Sequence, residues 1–151
     1  MIRAGPGVWG NHDFGLCLDP CEKVRQRYSS AVLDFMGSLQ PRMEIDDCLF
    51  THVEPWLDPH KVEDLWYFNG PPDSPAKLAR SFSAVPNRIV FLGHFHHWSL
   101  ATPYGLTPWR GESLVSLDDS LRRLVVVHAI CDGKCALFDT QSNDLIPFGE
   151  A

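Results

Sequence analysis

Apolar positions recur at helical spacing in the first half of the chain and gather into short runs in the second. Between residues 19 and 38, Val24, Tyr28, Ala31, Val32 and Phe35 share one face, the period of an amphipathic helix. Asp19 is placed to cap it, Pro20 fits its first position, Glu22 completes a capping box and Gly37 marks its end. The same signals open a helix at Asp58-Pro59, running to about Tyr67, and another at Ser74-Pro75, with Leu78, Phe82 and Val85 on one face. Cys48–Thr51 and Arg88–Leu92 read as strands, the first ending at His52 and the second at Gly93-His94. Beyond them, "WSLATP", "ESLVSL", "RRLVVVHAI" and "CALFDT" predict consecutive strands of a meander, with Asp132-Gly133 as a type I′ hairpin turn. Helix–strand alternation followed by a run of strands favours an α/β layered domain over an all-β one. There is no repeat, linker or low-complexity run, so residues 1–151 read as one domain.

Composition narrows this only slightly. In a chain of 151 residues, 44% hydrophobic and 21% charged residues describe an ordinary folded protein with one sizeable core. No apolar run reaches bilayer length, and the N-terminus has no apolar leader core, so a cytoplasmic location without membrane contact is expected. A net charge of −6 offers no surface for nucleic acid. The five cysteines are read as reduced thiols. Cys17/Cys21 and Cys131/Cys135 have spacers one residue longer than the usual zinc knuckle, and Cys131 and Cys135 are read as flanks of the hairpin turn.

The candidate chemistry stands at strand ends. Asn11-His12-Asp13, Thr51-His52 and Gly93-His94-Phe95-His96-His97 each follow a predicted strand. In α/β sheets ligands bind beyond the carboxyl ends of strands, so the three clusters can converge. Imidazole nitrogen and amide oxygen suit Mn, Fe or Zn. One histidine after a strand is more often a hydrogen-bonded loop residue; three such clusters make a site the stronger reading. His60 and His128 are read as structural.

"GNHD" (10–13), His52 after an apolar strand, and "GHFH" (93–96) resemble, in order, the last three motifs of the calcineurin-like metallophosphoesterases. The resemblance covers nearly the whole chain. It implies a layered β-sandwich of two mixed sheets flanked by helices, and two divalent metal ions sharing a hydroxide that attacks phosphorus in line. It implies that Asn11, His52 and His94 serve the second metal and His96 the first. His12 would act on phosphate or the leaving oxygen as general acid or stabiliser, and Asp13 would tie down its loop. Gly10 and Gly93 would let the backbone turn beside the metals. The implied activity is hydrolysis of a phosphomonoester or phosphodiester; the substrate is a phosphorylated small molecule, nucleotide or phosphoprotein, with no contact residue assigned.

Two earlier motifs of the family, an Asp-x-His and a Gly-Asp whose carboxylate bridges the metals, do not precede Gly10. The N-terminal β–α units that carry them are therefore expected to be missing. The remaining ligands Asn11, His52 and His94 are neutral, so this chain alone is expected to hold at most one metal, with Zn²⁺, Ni²⁺ or Cu²⁺ preferred to Mn²⁺. A three-histidine zinc site from His52, His94 and His96 is a variant of that expectation. Strands left as edges invite self-association. The alternative reading is a catalytically inactive remnant that serves as a binding or scaffold protein. Trp9 stands where the protein Ser/Thr phosphatase branch has a phosphate-gripping arginine. Trp9, Trp56 and Trp98 are read as core before they are read as stacking surfaces.

Overall fold

The computed structural model describes residues 6–118 and 120–149. Three short helices come first: α1 Phe14–Cys17, α2 Glu22–Arg27 and α3 Ser30–Gly37. Strands β1 Arg42–Ile45 and β2 Cys48–Thr51 come next, then α4 Val62–Leu65, α5 Pro75–Ala84 and β3 Ile89–Leu92. Beyond β3 come β4 Ser99–Thr102, β5 Gly105–Leu106, β6 Val115–Ser116, β7 Arg123–Val126, a 3-10 turn at Ile130–Asp132, β8 Cys135–Asp139 and β9 Asp144–Phe148.

The strands form a six-stranded mixed sheet in the order β1-β2-β3-β7-β4-β5 and a three-stranded sheet in the order β6-β9-β8. In the larger sheet β2, β3 and β7 are parallel, with antiparallel partners outside them. β2 and β3 end where the sequence predicts. The expected meander is corrected: β7 leaves the run and inserts between β3 and β4. "LVVV" is apolar on both faces, and Leu124, Val125 and Val126 are fully buried, the pattern of a central parallel strand. The second sheet is antiparallel throughout and not mixed as expected.

The long helix predicted over 19–38 breaks at Tyr28-Ser29. Ser29 Oγ accepts the Val32 N–H and starts α3 afresh; a serine that can cap competes with helix continuation. Asp19 takes a left-handed φ of 47° and caps nothing. The helix expected from Asp58 shrinks to the single turn α4, because the Asp58 carboxylate binds the His60 N–H in a turn of its own. α5 forms as predicted. Ser74 accepts the Lys77 N–H, and Leu78 and Phe82 pack on Leu49, Val90, Leu92, Leu124 and Val126 of the larger sheet.

A second hydrophobic cluster joins both sheets, with Ile89, Phe91 and Val125 against Leu117 and Leu145. A third, of Trp9, Val53, Leu57 and Leu65, seats the first loop against the segment after β2. Trp9 and Trp98 are core, as expected; Trp56 is half-buried under the Arg80 guanidinium. The β1 edge carries Arg42 and Glu44, charges that blunt strand addition. Among the described residues no helix is long and apolar enough to cross a membrane.

Candidate metal centre

β2 and β3 are parallel neighbours with Thr51 opposite Leu92, so His52 and His94 leave the same end of the sheet. The N-terminal loop reaches that end through the Val8–Gln40 bridge and the Trp9 N–H bond to the Gln40 carbonyl. Asp13 accepts the Gly10 N–H at 3.0 Å, and the loop is thereby folded back on itself.

Three predicted ligands meet. His52 Nε2 lies 3.0 Å from Asn11 Oδ1 and 3.3 Å from His94 Nδ1. Two donors about 2.1 Å from one ion stand roughly 3.0 Å apart at a right angle and roughly 3.4 Å apart at the tetrahedral angle. Each of these two separations suits a pair of donors on one divalent cation. Burial, then the neighbouring His94 ring, lowers the His52 pKa to about 4. Burial also lowers that of His94, against a loose contact with the Tyr67 backbone. Both rings are thus neutral at pH 7, the form that coordinates metal. His94 Nε2 is buried without a well-formed hydrogen bond, an orphan that a ligating ring normally satisfies through an outer acceptor.

His94 and His96 both adopt left-handed backbone, φ 66° and 53°. Such conformations cost free energy and gather where a site must aim its side chains. Gly10 and Gly93 do not have left-handed φ, yet the chain turns at both, the Gly10 carbonyl accepting the Asp13 N–H and the Gly93 carbonyl the Phe95 N–H. They also clear space. A Cβ at Gly10 would stand 2.7 Å from His52 Cε1, and one at Gly93 would stand 3.1 Å from His52 Nδ1. Gly10→Ala is therefore expected to push the His52 ring off Asn11 and weaken cation binding at least tenfold, with little change in thermal stability. Isothermal titration beside a melting curve checks this; an unchanged affinity would mean that the ring position does not matter.

The other predicted residues stand apart from the trio. His12 is exposed, its ring edge-on to Trp66 at 5.0 Å. His96 turns outward and pairs with Asp132 at 3.0 Å. His97 Nδ1 contacts the Phe95 carbonyl. Two aromatic residues outside the predicted set rim the trio. Phe68 lies 5.9 Å from the His94 ring, and Trp66 packs on His12. Both are more than half exposed, at 65% and 52%. Their signal in the sequence is the run "WYF" after α4, too polar in its surroundings to be core. One Asp-x-His triplet does exist, Asp58-Pro59-His60, which falls after His52 and out of motif order. Asp58 pairs with His60 at 3.3 Å within its own turn. The hairpin predicted at Asp132-Gly133 is a 3-10 turn over Ile130–Asp132, closed by Gly133 at φ 72°.

No protein-family model matches the chain, and no curated protein matches it in sequence. Its fold is similar to the crystal structure of a metallophosphoesterase from Sphaerobacter thermophilus, with a TM-score of 0.70 at 16% sequence identity. The match takes in 93% of this chain and 63% of that protein, so the chain spans less than two thirds of its structural neighbour. At that identity the likeness is one of fold, and the mixed six-stranded sheet with its three-stranded companion is a metallophosphoesterase-like fold.

Proposed function

We propose that this chain carries the second-metal half of a metal-dependent phosphoesterase, with Asn11, His52 and His94 holding one divalent cation. The substrate is a phosphomonoester or phosphodiester of a small molecule, nucleotide or phosphoprotein, and water is the nucleophile. The observation that supports this is the meeting of three lone-pair donors at cation-bonding separations on a fold of that type. A bound cation would supply Lewis-acid polarisation of a phosphoryl oxygen and a lowered water pKa. His96 is the proposed ligand for a first metal, and residues 1–151 are taken as one phosphoesterase domain.

The protein's own contribution is orientation and proton management. His12 stands exposed at the rim, free to donate a hydrogen bond to a phosphate or departing oxygen. Trp66 holds its ring edge-on. Trp66 and Phe68 present apolar faces beside the trio, which suits a substrate with an aryl or base group next to its phosphate. A second reading, a cation-binding or scaffold protein without turnover, is supported by the absence of any carboxylate from the trio. With no anionic ligand, the cation's charge is offset only by what binds it.

Metal analysis with p-nitrophenyl phosphate and bis(p-nitrophenyl) phosphate assays separates the two. His12→Ala is expected to lower turnover by about 10²–10⁴-fold while leaving cation content unchanged. A Zn²⁺-loaded protein with no turnover on either ester, in this and any longer form its gene encodes, supports the binding reading. Loss of metal from His12→Ala would overturn the role given to His12.

A further inference from the structure

Beside the trio, a second group of donors comes together from two loops. β3 and β7 are parallel neighbours, with Leu92 opposite Val126, so the segments after them emerge side by side. One carries His96; the other is the 3-10 turn bearing Cys131 and Asp132. His96 Nδ1 lies 3.0 Å from Asp132 Oδ2 and 3.9 Å from Cys131 Sγ, and one donor atom from each of the three residues falls within 4.8 Å of the others. We propose that His96, Cys131 and Asp132 form a second cation site, selective for a thiophilic divalent ion of the Zn²⁺ class.

The donor set argues for that ion. Zinc bonds sulfur at about 2.3 Å and imidazole nitrogen at about 2.0 Å, which puts N and S roughly 3.5 Å apart at the tetrahedral angle. The present 3.9 Å needs only a small inward movement of the Cys131 side chain. All three residues are exposed, so an ion has an open path and a water can take the fourth position. The charges balance, since a thiolate and a carboxylate together neutralise a divalent cation, whereas the trio is neutral. Mg²⁺ and Ca²⁺ prefer all-oxygen ligands and are disfavoured here. His128 stands outside the donor group; its Nδ1 accepts the Ala129 N–H at 2.9 Å. Its ring lies 3.4 Å from Asp132 Oδ2 and backs the turn. On binding, the Cys131 S–H bond breaks and its proton passes to solvent, while the sulfur lone pair bonds the metal.

The site uses the same His96 that is proposed above for a first phosphoesterase metal, so one ion here would take that place; it does not depend on phosphoester chemistry, and the metal alone tests it. Co²⁺ is titrated into phosphine-reduced protein, and the sulfur-to-cobalt charge-transfer band is monitored in the near ultraviolet together with proton release. The wild type is expected to develop the band together with proton release. Cys131→Ser is expected to abolish it, while Cys21→Ser and Cys135→Ser keep it. His96→Gln and Asp132→Asn are expected to weaken Co²⁺ at least tenfold. His52→Ala is expected to keep the band although its trio is broken, which separates this inference from the phosphoesterase reading. A wild type without the band, or a band that survives Cys131→Ser, would show that His96 and Asp132 form only an exposed ion pair. Every substituted side chain here except His52 is exposed, and a circular dichroism spectrum confirms that each variant is folded.

Discussion

His94→Ala and His52→Ala each lower the cation stoichiometry by one and weaken what remains at the trio by at least about 100-fold, while the secondary structure stays intact. The reason is geometric. His52 Nε2 stands between Asn11 Oδ1 and His94 Nδ1, so removing either ring leaves two donors where three converged. The same rings set a pH window. The His52 pKa falls from 6.5 to about 4 on folding, so between those values the proton prefers the unfolded chain. The contribution of His52 to metal-free stability is whole above pH 6.5 and declines as pH falls toward 4. Because the folded ring stays neutral over most of that range, His52 is expected to remain able to bind Zn²⁺ at pH 5.5, where an ordinary imidazole is mostly protonated. Competition titrations with a chromophoric chelator at pH 7.5 and 5.5 measure both effects. An unchanged stoichiometry in His94→Ala would remove the trio as a metal centre.

The parts of this site that were legible in the sequence are those held by short-range signals. β2 and β3 announce themselves as apolar runs stopped by His52 and by Gly93-His94, and parallel pairing then brings the two histidines together without further help. Asn11 joins them because Asp13 pins its own loop. What stayed hidden depends on contacts distant in sequence. His96 and Asp132 are 36 positions apart, and their meeting depends on β7 leaving the strand run to lie beside β3. Reading the strands as a sequential meander placed Asp132-Gly133 in a hairpin and its cysteines at the flanks, which concealed a donor cluster. Ser29 likewise defeated the helix pattern, because a single hydroxyl offers the backbone an alternative that periodicity does not register. The turns at Gly10 and Gly93 were legible, but the volume that they leave for the His52 ring exists only in three dimensions.

Leu92→Ala is expected to be the most damaging single core truncation near the site. Leu92 is 1% exposed and packs with Leu78 and Phe82 of α5 and with Leu49, Leu124 and Val126 of the sheet. Its loss leaves a cavity between layers that cannot close without moving α5, at about 2–5 kcal/mol, or a melting temperature lower by roughly 10 °C for a chain this size. Leu106→Ala, on the edge strand β5 at 41% exposure, is expected to shift stability by no more than about 0.5 kcal/mol. The two positions also differ in their distance from the proposed metal centre. Gly93 and His94 come directly after Leu92, and the Gly93 N–H still binds the Thr51 carbonyl, so the damaged core and the proposed metal centre share one strand end. A ligand that binds only the folded state adds about 2.7 kcal/mol at 100 times its dissociation constant. Zn²⁺ at that excess is therefore expected to restore at least about half of what Leu92→Ala loses, and markedly less in the double variant Leu92→Ala/His94→Ala, where only other sites remain. Differential scanning fluorimetry across a Zn²⁺ series reads this directly. Equal restoration in the single and double variants would mean that the cation stabilising the fold is not held at the end of β3.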